Sequence, residues 1–267
     1  MYFDKIKSAL LDSSTDEDVL RLRAAALTSM ENDESLQQLV PYFVQFIAEK
    51  VTHSTGNVYI LRTMMELANA LTRNPTLFVD PYTTTLTSSV ITCLVGRRPA
   101  TAATNPEEAA SFFALRGYAA SLVGHIANKY QKSSTQLKPR LARTFLKFFL
   151  DPKKPLDQHY GALKGLVAIG GKEAVRMLII PNLKAYNRVL AKGMAESPRD
   201  AEMVLGALVA AVKSIADEPV LGGDGDAMDE DLGGKVEEFV GGLVGGQIEK
   251  MGDRELMKSV LGCKTNN

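Results

Sequence analysis

Apolar residues recur along this chain at steps of three and four. Ile60, Met64, Leu67 and Leu71 form one such run, and Leu137, Leu141, Phe145 and Phe148 another. These spacings put side chains on one face of a helix, whereas a half-buried strand needs a period of two. Alternating runs are nearly absent, and no Asn-Gly hairpin turn occurs. The pattern predicts an all-α chain.

Two signals then repeat together. The first is a leucine followed by a basic residue and a run of small or apolar residues: LRAAAL (22–27), LRTMMEL (61–67), LRGYAASL (115–122) and LKGLVAI (163–169). The second, 17 to 23 residues after the basic position, is a proline opening another apolar helix: PYFVQFI (41–47), PYTTTLTSSVI (81–91), PRLARTFLKFF (139–149) and PNLKAYNRVL (181–190). Proline suits the first helical position, where its missing N–H has no partner to lose and its φ is already helical.

The basic residues Arg23, Arg62, Arg116 and Lys164 are separated by 39, 54 and 48 positions. Periods of about 40–47 mark two-helix HEAT or armadillo repeats. The long interval contains a loop-rich insertion, GRRPATAATNPEE (96–108). A fifth unit starts with AEMVLGALVAAVKSI (201–215), where Gly206 takes the basic position. No helix pair can bury its apolar face alone, so the prediction is a HEAT-like α-solenoid of about five antiparallel helix pairs.

HYGALKGLVAIGG (159–171), followed by Lys172, superficially resembles a phosphate loop. Counting back from that lysine, a Walker motif needs glycine where Leu166 stands and Ser or Thr where Glu173 stands. The stretch is instead the first helix of the fourth unit. Gly161 and Gly165 share a face that lets another helix approach, and Gly170 and Gly171 end the helix.

Of the 267 residues, 45% are hydrophobic and only 7% aromatic, with no tryptophan. Such a supply of Ala, Leu and Val suits helices packing on helices. Lysine plus arginine total 31 and aspartate plus glutamate total 31, so charge does not advertise phosphate-backbone binding. Two lone cysteines point to a reducing compartment. No secretory leader is visible, and VLGALVAAV (204–212) is too short to span a bilayer. The expectation is a soluble intracellular protein without a membrane partner.

Catalytic and metal chemistry find no support. His53, His125 and His159 are scattered and make no zinc spacing. His125 reads as a partly buried, hydrogen-bonded histidine and Cys93 as a small core residue. No cofactor, metal, small-molecule substrate or enzymatic activity is expected. GGDGDAMDEDLGG (222–234) lacks the ligand and glycine positions of a calcium loop. It reads as a disordered linker. The expected organisation is therefore a repeat domain over 1–220, an acidic Gly-rich linker over 221–234, and a short helical tail over 235–267 that caps the repeats.

The surface feature that stands out is on the third proline helix. Arg140, Arg143 and Lys147 share one face, opposite Leu141, Phe145 and Phe148, and Lys153 and Lys154 follow in the loop. This is either a solvated face or a groove for acidic partner segments or nucleic acid. Arg97 and Arg98, in the insertion, form a weaker candidate of the same kind. A nucleic-acid-contacting module using these cations, with weak DNA contact, is the alternative to a protein scaffold.

RNPTLFVDPYTTTL (73–86), ITCLV (91–95), ALRGYAASLVGHI (114–126) and HYGALKGLVAIGG…IIPNL (159–183), with YFDKI (2–6) and PYFVQFI (41–47), together resemble one family. It is subunit 6 of TFIID, the TBP-associated factor that joins an N-terminal histone fold to a C-terminal HEAT domain. The likeness covers roughly residues 2–190 and has a fungal character. It starts beyond the histone fold, as expected for part of a longer protein. The family's basic-Tyr-Gly element stands here as His159-Tyr160-Gly161, with histidine in the usual arginine position. The resemblance implies a nuclear, non-enzymatic scaffold shared by TFIID and the SAGA coactivator. Its implied partners are other TBP-associated factors and SAGA subunits, and its implied role is assembly of the RNA polymerase II preinitiation complex.

Overall fold

The computed structural model describes residues 2–99, 101, 105–216 and 232–263, and among them there is no strand. The chain divides into two compact units, Met1–Leu137 and Lys138–Asn267. The first contains α1 (Tyr2–Leu11), α2 (Glu17–Asn32), α3 (Val40–His53), α4 (Val58–Arg73), α5 (Thr83–Val95) and α6 (Pro106–Lys129). The second contains α7 (Leu137–Leu150, apart from its first residue), α8 (Leu156–Ala174), α9 (Leu183–Glu196) and α10 (Pro198–Lys213). It closes with α11 (Leu232–Val240), α12 (Gly242–Met251) and α13 (Arg254–Gly262).

The four basic-led runs lie on α2, α4, α6 and α8, and the proline-led runs lead into α3, α5, α7 and α9. The prolines are less uniform than predicted. Pro41 sits in the first turn of α3, but Pro81 and Pro181 sit in short 3₁₀ turns, Asp80–Tyr82 and Ile180–Asn182, that feed their helices. A residue without an N–H costs either kind of first turn nothing, so the sequence signal is the same. Several helix starts are fixed locally: the side chains of Asp16, Asn57, Asn105 and Asp253 accept hydrogen bonds from backbone N–H groups of the turn that follows.

In the first unit α4 packs against both α2 and α6, forming one layer, while α3 and α5 pack together as the other. Met30, Phe43, Ile47, Met64, Leu71 and Val90, each fully buried, fill the space between the layers. In the second unit α10 packs on α8 and α9, and α11, α12 and α13 close over α9 and α10. Leu243 N–H donates to Asn187 Oδ1 at 3.1 Å where α12 meets α9. Residues 232–234, read from sequence as linker, open α11. The rest of that expected linker, 221–231, lies outside the described residues.

In its first three instances the recurring basic residue is tied to a neighbouring element. Arg116 is 1% exposed, and its guanidinium donates to the carbonyls of Leu94 and Gly96, at and just beyond the end of α5. Arg23 donates to the carbonyl of Asp12, just past α1, and stacks 4.7 Å from the Tyr59 ring of α4. Arg62 pairs with Glu66 at 2.7 Å and stacks 3.9 Å from the Tyr118 ring of α6. Lys164 lies 6.0 Å from the Tyr160 ring on its own helix.

The last turn of a helix leaves carbonyls with no intrahelical donor, and Arg23 and Arg116 supply one from the helix that follows. The opposite ends of the same layer are tied similarly. Asn74, fully buried after α4, donates to the carbonyls of Met30 and Asp33 at the end of α2. Lys129 of α6 donates to the carbonyl of Thr72 at the end of α4.

Helix α8 carries the glycine-rich stretch. It runs helically through Gly170 and kinks at Gly171, whose φ of 55° and ψ of −143° suit only glycine. Gly161 and Gly165 are buried, and α8 packs on α10. Gly165→Leu should therefore overpack and destabilise the chain by about 1–3 kcal/mol, read as a lower urea midpoint at unchanged slope. An unchanged midpoint would mean that no neighbour stands over this glycine.

Candidate interaction surface

Helix α7 is built on a stripe of Leu141, Phe145 and Phe149, four residues apart and buried at 2%, 0% and 0% exposure. The sequence reading put Phe148 in that stripe, and this is corrected. Phe148 is half-buried, and Lys154 Nζ lies 5.0 Å from its ring. A helix advances 100° per residue, so a step of four tracks the buried face and Phe148 turns to its edge. Lys154 is thus committed to an aromatic neighbour and is not a free surface cation.

Arg140, Arg143 and Lys147 are all exposed on the opposite side of α7. The segment LKPRLARTFLKFFL contains no acidic residue, and none of the three has an ion-pair partner among the described residues. Lys147 lies in the last turn, where a cation complements the helix dipole. Lys153 is exposed in the following turn, which the Asp151 side chain closes by accepting from Lys153 N–H at 3.0 Å.

Arg97 and Arg98 belong to the other unit, just past α5. Arg97 is exposed beside a small pocket lined by Cys93, Phe112 and Arg116, and Arg98 lies 5.9 Å from the Phe113 ring. They are not part of the α7 row.

The sequence reading missed a second row. Lys184 and Arg188 stand four apart on α9, both exposed, with Lys192 a further turn on. Lys192 pairs with Glu196 at 3.6 Å, the only acid on that helix. The signal was present as a four-residue step of cations on the next proline helix. It becomes meaningful only because α7 and α9 are neighbours: the Phe149 and Tyr186 rings stack at 4.5 Å with an interplanar angle of 26°.

His159 clamps the same junction. It is fully buried; its Nε2–H donates to the carbonyl of Asp151 at 3.1 Å, and its Nδ1 accepts from the Tyr186 hydroxyl at 2.9 Å. A carbonyl can only accept, so the geometry selects the tautomer protonated at Nε2. His159 thus does at the end of α7 what Arg116 does at the end of α5. Burial is the main cause holding its pKa below the ordinary 6.5 and keeping it neutral.

The remaining chemical candidates take structural places. Burial raises the Cys93 thiol to about 12, far from nucleophile range. His125 is half-buried on α6 beside the Thr72 carbonyl, and burial lowers its pKa too. Among the described residues no cluster of His, Cys, Asp or Glu could hold a metal ion, and no helix is long and apolar enough to cross a membrane.

Residues 1–184 match the family model described as the TAF6 C-terminal HEAT repeat domain. The chain belongs to this family. Over 265 residues it is 40% identical to the SAGA complex/transcription factor TFIID complex subunit Taf6 of Schizosaccharomyces pombe, covering 98% of this chain and 56% of that protein. The transcription initiation factor TFIID subunit 6 of Arabidopsis thaliana is 38% identical over 190 residues, 71% of this chain and 33% of that one. This TAF6-family chain therefore spans about half the length of its fission yeast relative, or less for the plant one. Among solved structures, the TAF6 C-terminal domain from Antonospora locustae matches with a TM-score of 0.59 and 27% identity, covering 79% of this chain and 94% of that one. The all-α, HEAT-type fold expected from the repeat is thus the fold of its family.

Proposed function

We propose that this chain is a non-catalytic scaffold domain that holds subunits together in TFIID and SAGA, in the nucleus, in support of preinitiation-complex assembly. Its family membership carries the reading: the fission yeast relative that aligns with nearly the whole chain is named a subunit of both assemblies. The helix-end ties suit the task. A repeat array whose junctions are clamped by Arg116, Asn74, Lys129 and His159 presents its surfaces without rearranging, so little ordering cost falls on binding.

The test is purification of the tagged chain from nuclear extract, with co-purifying proteins identified by mass. TFIID and SAGA subunits are the expected result, and their absence would overturn the scaffold reading. Arg140, Arg143 and Lys147 are proposed as partner contacts, with Lys153 beside them. Reversing the first three to Glu should leave helicity and melting nearly unchanged, because exposed positions away from special features rarely shift stability by more than about 0.5 kcal/mol. The same variant should recover markedly less of the assembly. Full recovery would reduce the row to a solvated face.

A further inference from the structure

We propose that the outward faces of α7 and α9 together form a docking surface for an acidic segment of another protein that also carries bulky apolar side chains. This rests on the scaffold reading and adds the chemistry of one partner.

Three observations support it. The first is density of charge without compensation. Arg140, Arg143 and Lys147 on α7, and Lys184 and Arg188 on α9, are exposed, and none has a carboxylate partner among the described residues. Cations one turn apart repel each other by a few tenths of a kcal/mol per pair, a cost the fold does not relieve internally. An anionic partner would relieve it.

The second is geometry. On each helix the cations stand opposite its buried stripe, Leu141, Phe145 and Phe149 on α7 and Leu183, Tyr186 and Leu190 on α9. The Phe149–Tyr186 stack joins α7 to α9, and the His159 hydrogen bonds tie the turn after α7 to Tyr186. Successive turns lie about 5.4 Å apart along a helix, so each row presents its cations at intervals that the carboxylates of a single peptide can meet.

The third is apolar surface at the end of the row. Leu150 is 38% exposed at the end of α7, and Phe148 is half-buried with Lys154 above it. These give a leucine or phenylalanine of the partner something to bury against, which a phosphate backbone would not use. The observations therefore favour an acidic, apolar-bearing peptide over a nucleic acid.

The experiment measures fluorescence anisotropy with the whole chain and three probes. One is a labelled peptide alternating Asp or Glu with Leu or Phe. The second replaces its Leu and Phe with Ser, and the third is a short duplex DNA. The first peptide should bind with an affinity that falls as salt rises, and the serine version several-fold more weakly. Arg143→Glu combined with Arg188→Glu should weaken the first peptide at least tenfold, about the least that removing two contacts at the centre of a charged interface brings. Lys132→Glu, in the other unit, should not. Circular dichroism checks that both variants are folded. The proposal is overturned if the first peptide does not bind, if the Arg143→Glu, Arg188→Glu variant binds it as well as the unaltered chain, or if DNA binds more tightly than either peptide. Should the peptide fail while the chain still recovers TFIID or SAGA subunits from extract, the partner chemistry is wrong and the scaffold reading stands. Should the peptide bind while no subunit is recovered, the reverse holds.

Discussion

Replacing Arg116 with alanine is expected to destabilise the chain by about 3–5 kcal/mol, the sum of lost charge-assisted hydrogen bonds and the cavity left behind. The residue is 1% exposed, and its guanidinium bridges the carbonyls of Leu94 and Gly96. Without it, the end of α5 keeps its carbonyls but loses their donor. A cation there also faces the negative end of the helix dipole. Urea denaturation followed by circular dichroism measures the loss. Arg116→Lys should recover only part of it, because a single ammonium cannot reproduce the planar fork that spans two acceptors. A lysine variant as stable as the unaltered chain would mean that charge alone holds this junction.

His159→Ala is expected to cost about 2–4 kcal/mol at neutral pH, since it opens a cavity and strips partners from buried polar groups. Both ring nitrogens are used, one on Asp151 and one on Tyr186. The sign of the pH dependence follows from burial. Desolvation lowers the folded-state pKa below 6.5, overcoming the upward pull of the Asp151 and Lys154 carbonyls and of the Asp151 and Asp157 carboxylates. As pH falls through 6.5 the unfolded chain takes up a proton that the folded chain refuses, so stability falls. The contribution is complete above that pH and lost below it. The alanine variant cannot lose it, so the gap between the two proteins should narrow from about pH 8 to about pH 5. A gap that stays constant would place the histidine charge outside the folding equilibrium. His125, also lowered by burial, adds a loss of the same sign to both proteins.

Both residues stand out in the sequence for other reasons. Arg116 stood out as one beat of a repeated pattern, and His159 as histidine in a position where the family's arginine usually stands. Neither pattern reveals that the side chain reaches a carbonyl at the end of the preceding helix, because that acceptor lies across a loop and carries no identity of its own: every backbone carbonyl looks the same in a sequence. Asn74 and Lys129 were not singled out at all, for the same reason. The Phe148–Phe149 exchange shows a smaller limit. Adjacent phenylalanines at the end of a helical stripe differ by 100° of rotation, and a step of three and a step of four are equally good readings until the neighbouring helix is in place.

The basic surface divides in the same way. The α7 row was legible because three cations at helical spacing oppose an apolar stripe, a purely local pattern. The α9 row has the same pattern, but its importance depends on Tyr186 lying against Phe149.

What the sequence by itself determined was the repeating hairpin: an all-helical chain, the places where helices start, the beat of basic residue and proline, and a composition able to bury one face of every pair. These depend on period and on the φ of proline, which act within a few residues. Only the tertiary structure decided that Arg23 and Arg116 close carbonyls at the ends of other helices, that Arg23 and Arg62 stack on Tyr59 and Tyr118, and that α7 meets α9 through Phe149 and Tyr186. Those outcomes depend on distances between residues far apart along the chain, set by how the apolar stripes interlock when the helices stack.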